Sequence, residues 1–158
     1  MRKLTALLLA LTLAFTSVAC TAPEDEHTLF YYLRSEETIL YGEPDGLIAP
    51  LSRELTGSGQ LDTTLQLYME GPNEENFRSP FPKGTYLLST IQRDDMLVVV
   101  LSREFSTLSG IHLTLAGACL TATCHDLTGL TRVQVRSGEH IYDFNLNDFV
   151  FLDDSAGT

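Results

Sequence analysis

The stretch from Phe77 to Phe105, FRSPFPKGTYLLSTIQRDDMLVVVLSREF, constrains the fold more than any other part of the chain. Pro80 and Pro82 stiffen the approach, and Lys83-Gly84 releases the backbone into Thr85–Ile91. A polar Gln-Arg-Asp-Asp connection follows, then Met96–Leu101. Two runs of strand length joined by a short polar link predict a β-hairpin. Its second strand holds five consecutive apolar residues, Leu97 to Leu101. Alternation is lost where both faces of a strand are at least partly covered, so this run predicts a central strand. The hairpin carries no reactive chemistry.

The N-terminus reads as a targeting segment. Arg2-Lys3 form a basic start, Leu4–Phe15 an apolar run, and Ser17-Val18-Ala19 a small-residue cleavage site ending at Ala19. That apolar run is shorter than the roughly 20 residues a membrane span needs, so residues 1–19 read as a signal peptide. Cys20 follows at once. Small residues before a cysteine resemble the bacterial lipobox, in which the thiol receives a diacylglyceryl group. Ser17 stands where a lipobox usually carries an aliphatic residue, and the same tripeptide suits ordinary signal peptidase. Lipidation of Cys20 is the expectation, with plain export as the alternative. Two acyl chains suffice for stable anchoring. Thr21–His27, polar and acidic, reads as part of a tether over residues 20–28. Seven extended residues reach about 25 Å at most, so a lipidated chain would hold its domain near the membrane.

The chain has 10 basic and 21 acidic residues, a net charge of −11. Removal of Arg2 and Lys3 leaves eight basic residues and a net charge of −13. Such acidity argues against nucleic acid as a partner and against adsorption to anionic lipid by charge. Cys119 and Cys124 are the other two cysteines. Their spacing within a helix gives an axial rise of about 7.5 Å, beyond the span of about 7 Å that a disulfide tolerates. Two buried thiols are therefore favoured.

Taken in order, Leu29–Arg34 is strand-like, and the Gly42–Gly46 turn separates two short extended pieces, Thr38–Tyr41 and Leu47–Leu51. Gln60–Glu70 places Leu61, Leu65 and Met69 on one helical row and ends at Gly71-Pro72. After the hairpin, Ser109 is a cap for a second helix over Ile111–Asp126, with Cys119, Leu120 and Cys124 on its apolar rows. Arg132–Arg136 alternates as a strand with Val133 and Val135 inward. His140–Phe151 adds one or two peripheral strands, and Asp153–Thr158 is a solvated tail. No internal repeat is visible. The order strand, helix, strand, strand, helix, strand predicts an α+β two-layer sandwich, with two helices on one face of a small mixed sheet.

Four segments in this order resemble the GerMN family of sporulation and spore-germination lipoproteins. They are Leu67–Pro72, Ser79–Thr85 with Leu87-Leu88-Ser89, Leu97–Phe105, and the helix leading through Leu127–Leu130 into Arg132–Val135. The likeness runs from Leu29 to Ser137 inside a domain placed at residues 29–152. It implies a fold akin to the ring-building motifs of membrane-bridging assemblies and a non-enzymatic role. The family's namesake carries two such domains in tandem; this sequence shows one.

Catalytic and metal chemistry find little support. Cys124-His125-Asp126 are adjacent on a helix, and successive side chains diverge by about 100°, so they do not form a relay. His112 and Cys119 share a face with His125 or Asp126, but zinc requires four convergent ligands. Glu43 and Asp45 fall short of a calcium loop. No phosphate loop or nucleophile elbow is present. No cofactor, metal or catalytic residue is expected. The favoured function is a membrane-tethered interaction or scaffold module whose partners are envelope or membrane proteins, with oligomerisation open. Its partner surface is expected where a sheet face lacks helices, at Val98, Val100, Phe30 and Tyr32, or at Leu97, Val99, Leu101 and Tyr31/Leu33. The alternative is a small extracytoplasmic ligand-binding or hydrolytic domain with a pocket near His112, His125 or the acidic loops.

Overall fold

The computed structural model describes residues 26–36, 46–55 and 60–149. The signal segment, Ala19, Cys20, Thr38–Tyr41, Glu43, Asp45 and the Asp153–Thr158 tail lie outside them. Seven strands and two α-helices are described: β1 (Glu26–Arg34), β2 (Ile48–Leu55), α1 (Leu61–Met69), β3 (Phe77–Arg78), β4 (Leu87–Arg93), β5 (Met96–Leu101), α2 (Gly110–Thr128), β6 (Arg132–Ser137) and β7 (His140–Asn145). Short 3-10 turns cover Arg103–Thr107 and Leu146–Asp148. The α+β class and the hairpin follow the pattern of the sequence. β1 begins earlier than its apolar run, because Glu26, His27 and Thr28 pair with Leu55, Glu54 and Arg53 of β2. Composition alone assigned those residues to the tether. Ladder pairing needs only backbone groups, so their polar side chains do not prevent it.

The strands form two sheets where one was expected. One is three-stranded, ordered β2-β1-β3, and the other four-stranded, ordered β4-β5-β6-β7. β5 and β6 are parallel and the remaining pairs antiparallel. A parallel pair needs a long crossover, and α2 supplies it. The physical reason for two sheets lies on the side of β1 that faces away from β2. There the Leu29 N–H donates to Asp126 Oδ2 at 2.9 Å and the Tyr31 N–H to Thr123 Oγ1 at 2.9 Å. On the same side, the Tyr68 hydroxyl donates to the Tyr31 carbonyl at 2.7 Å. Side chains of α2 and α1 thus occupy the groups through which β1 would otherwise join the second sheet.

The core gathers between the helices and the inner sheet faces. Leu65, Tyr68 and Met69 of α1, Leu120 and Cys124 of α2, and Leu97, Val99, Leu101, Val133 and Val135 of the four-stranded sheet are all buried in one cluster. An aromatic chain runs through it: the ring centroids of Tyr32 and Tyr68 lie 5.0 Å apart, those of Tyr68 and Phe81 5.3 Å, and those of Phe81 and Phe105 6.3 Å. Such spacings favour tilted and edge-on contacts. Each large apolar side chain buried here contributes about 1.5–3 kcal/mol. α2 closes onto β7 at Gly117, where a Cβ would stand 2.2 Å from Cε1 of Phe144. Only a residue without a side chain fits beneath that ring.

Candidate functional site

The register of the four-stranded sheet divides its side chains into two faces. Cross-strand partners share a face, so Gln92, Leu97, Val133 and Phe144 form one row, and Thr90, Val99, Val135 and Tyr142 the next. Their apolar members belong to the core or pack against it. The opposite face carries the rows Ile91, Val98, Gln134, Asp143 and Ser89, Val100, Arg136, Ile141. A third row on it joins Arg93, Met96, Arg132 and Asn145. The helices pack on the first face, so this second face is the outer one.

Large exposed apolar side chains collect there. Ile91 is 43% exposed and Ile141 59%. Tyr86 and Leu88, at 49% and 57%, extend the patch along β4, where a bulge between Leu87 and Ser89 disturbs the alternation. Among the described residues the other exposed large hydrophobics are Leu47 and Ile111, on separate elements. A polar string crosses the middle of the face. The Arg136 Nε–H donates to Gln134 Oε1 at 2.9 Å, and Gln134 Nε2 donates to Asp143 Oδ1 at 2.9 Å. Arg132 pairs with Asp95 at 2.7 Å, and that hydrogen bond with the guanidinium charge holds the Asp95 carboxyl below its ordinary range.

The expected partner surface is corrected by this geometry. Phe30 and Tyr32 are fully buried in the core, because α1 and α2 cover the face of β1 that carries them. Val98 does lie on the outer face with Val100, yet it too is fully buried. It lies on an inner strand, with Ile91 and Gln134 as its partners across the ladder. Val100 is half-buried. Leu97, Val99, Leu101 and Leu33 are buried as well, and Tyr31 is half-buried. The exposed apolar groups are therefore Tyr86, Leu88, Ile91 and Ile141. The polar–apolar alternation of His140–Asp143 carried part of that signal, but only the strand order shows that these residues share a surface.

The groups weighed for chemistry do not converge. His112 is exposed near the start of α2 and His125 half-buried near its end, separated by about 20 Å of helix rise. Cys119 and Cys124 are buried free thiols on one unbroken helix, and burial pushes both thiols well above their ordinary range. Asp126 is committed to the Leu29 amide. Among the described residues no group of three His, Cys, Asp or Glu side chains is placed to hold a metal ion. Burial also lifts the Tyr32 phenol to about 12, offset in part by the nearby Arg53 charge, while its hydroxyl donates to the Tyr68 carbonyl at 3.0 Å. These are structural groups, closing the core around α1.

A family model described as Germane, sporulation and spore germination, matches residues 29–140. The chain belongs to this family. The Germane match spans β1 to β6 and both helices and stops at His140, the first residue of β7, so it includes Tyr86, Leu88 and Ile91 of the outer face and leaves out Ile141. Among solved structures, the first GerMN domain of the sporulation protein GerM from Bacillus subtilis aligns with a TM-score of 0.55 at 17% identity, covering 74% of this chain and 86% of that one. The tandem GerMN domains of the same protein give a TM-score of 0.55 at 17% identity, covering 75% of this chain and 41% of that one. This likeness is one of fold. No curated protein sequence matches the chain. Among the described residues no helix is long and apolar enough to cross a membrane.

Proposed function

We propose that this Germane protein is a non-enzymatic, extracytoplasmic lipoprotein that serves as a protein–protein interaction module in the cell envelope, in the setting of sporulation or germination. The observation that carries the proposal is the outer sheet face. It presents Tyr86, Leu88, Ile91 and Ile141 to solvent, while the helices pack on the other side. Exposed apolar patches of this kind, rimmed by polar side chains, mark contact surfaces. The Ser17–Cys20 sequence supports anchoring through a diacylglyceryl group on Cys20 after cleavage at Ala19. A tether ending where β1 begins at Glu26 would keep the face close to the membrane, within reach of membrane-associated partners.

Two experiments test this. In cells producing the full chain, Cys20→Ser should move it from the membrane to the soluble fraction; unchanged partitioning refutes the anchor. The Ile91→Glu/Ile141→Glu chain should lose its crosslinked adducts on intact cells while keeping its circular dichroism spectrum. Ile111→Glu, on an exposed residue of α2, serves as the control and should keep them. If the outer-face variant folds and crosslinks as the unsubstituted chain does, the surface has been assigned to the wrong place.

A further inference from the structure

Among the described residues, the edges of β2 and β4 and the side of β1 turned away from β2 are blunted, and the edge of β7 is not. A bare edge exposes main-chain N–H and C=O groups that can pair with another strand, and proteins blunt such edges with proline, bulges or covering groups. On β2, Arg34 N–H donates to the Leu47 carbonyl while Tyr31 N–H turns away to Thr123, so Pro50, opposite Tyr31, points its nitrogen outward. The proline ring removes the donor there. β1 is capped by Asp126, Thr123 and Tyr68. On β4 the bulge interrupts the edge, and Gln66 Oε1 of α1 accepts from the Leu87 N–H at 3.1 Å.

β7 has none of these. Ser137 and His140 close a two-residue turn at Gly138-Glu139, with Gly138 at φ 59°, and further along Leu146 N–H donates to the Thr131 carbonyl at 2.8 Å. Both ends fix the same parity: His140, Tyr142 and Phe144 turn their main chain toward β6. Ile141, Asp143 and Asn145 turn theirs away, at the end of the sheet. Among the described residues no proline, bulge or side-chain cap covers them. The side chains state what would fit. Ile141 is 59% exposed, and Tyr142 and Phe144 are half-buried on the inner face. From Ser137 to Phe149 there are three acidic residues, Glu139, Asp143 and Asp148, and no Lys or Arg. The two guanidiniums across the ladder from β7 are engaged: Arg136, opposite Ile141, with Gln134, and Arg132, opposite Asn145, with Asp95.

We infer that β7 is a strand-addition site for an extended, basic segment of another protein, with apolar residues against Tyr142 and Phe144 on one face and Lys or Arg on the other, its stem along Ile141 and its charge opposite Asp143. Residues facing each other across strands lie about 5 Å apart, close enough for that pairing to count. Two copies of β7 would instead set acidic strand against acidic strand. The inference goes beyond the outer-face reading: it shares Ile141 with that surface but needs neither the lipid anchor nor Tyr86, Leu88 and Ile91.

The probe is a short alternating valine–lysine peptide, titrated onto the full chain by fluorescence anisotropy and followed by hydrogen exchange. Saturable binding and slowed exchange at the Ile141, Asp143 and Asn145 amides are expected. An N-methylated version of the same sequence keeps the charge but loses ladder hydrogen bonds, so it should bind at least about tenfold more weakly. The valine–glutamate counterpart should bind at least about tenfold more weakly too. Asp143→Pro, which removes an outward donor and one charge, should weaken the valine–lysine peptide at least about fivefold with an unchanged circular dichroism spectrum. If that variant fails to fold, the N-methylated peptide decides on the unsubstituted chain. Equal binding of the methylated peptide, protection at residues away from β7, or a β7-dependent dimer in sedimentation overturns the inference.

Discussion

Replacing Gly117 with alanine sets two effects of known sign against each other. Alanine in a helix interior is favoured over glycine by about 0.8–1 kcal/mol, so on helix propensity alone α2 would gain stability. The added methyl would however stand 2.2, 2.5 and 2.6 Å from three ring carbons of Phe144. Carbon atoms in contact sit at about 3.5–4.0 Å, so the ring must retreat by more than about 1 Å. Phe144 packs against the core between β7 and α2, and overpacking of this kind costs about 1–3 kcal/mol. The clash outweighs the propensity gain, and Gly117→Ala should lose about 1 kcal/mol, roughly 4 °C in Tm for a domain of this size. In a Phe144→Ala background the ring is gone and the same substitution should stabilise by about 0.8–1 kcal/mol. Urea unfolding followed by circular dichroism on the four chains reads both values. A stabilising Gly117→Ala in the presence of Phe144, or the same effect in both backgrounds, refutes the close approach of α2 to β7.

Three further outcomes follow from groups in the core. Thr123→Val keeps the shape of a buried side chain but removes the acceptor for the Tyr31 N–H, and should cost about 1–3 kcal/mol in urea unfolding, with Thr123→Ser losing less. Burial holds the Tyr32 phenol at about 12 and pushes that of Tyr68 up as well, against an ordinary value of 10.0. Above pH 10 the unfolded chain therefore releases phenolic protons that the folded chain retains, so stability is full below that pH and falls as pH rises toward 12. Phenolate absorbance should show two tyrosines ionising only with loss of the fold; ionisation of every tyrosine near pH 10 with the fold intact contradicts this. In a Cys20→Ser chain, alkylation of Cys119 and Cys124 should keep pace with unfolding as urea is raised, and rapid labelling without urea would show that α2 opens locally.

Much of the architecture was legible in periodicity. Leu97–Leu101 lacks alternation because β5 is an inner strand with Leu97, Val99 and Leu101 on the core and Val98 buried on the other face. The α1 stripe of Leu65, Tyr68 and Met69 and the stop at Gly71-Pro72 are local features, set by helix pitch and by the missing proline donor. The start of β1 was not legible, since Glu26–Thr28 join the ladder through their backbone while their side chains resemble a linker. The candidate surface was half legible. The idea of a helix-free sheet face was sound, but a strand pattern says only that neighbouring residues point opposite ways. Which way faces solvent depends on the neighbours: Phe30 and Tyr32 look as able to contact a partner as Ile91 and Ile141 until α1 and α2 are placed over them.

By itself the sequence determined the class of the fold, the central hairpin, both helices and the family resemblance. All of these rest on spacing along the chain, where the physics is local: a strand repeats every two residues, a helix every 3.6. The tertiary structure alone decided that the strands divide into two sheets. The division depends on Thr123, Asp126 and Tyr68 reaching the backbone of a strand far away in sequence. The same long-range geometry covers the free side of β1 and the start of β4 and, among the described residues, leaves the edge of β7 uncapped. Hydrogen-bond partners at such separations leave no period in a sequence, so no local pattern announces them.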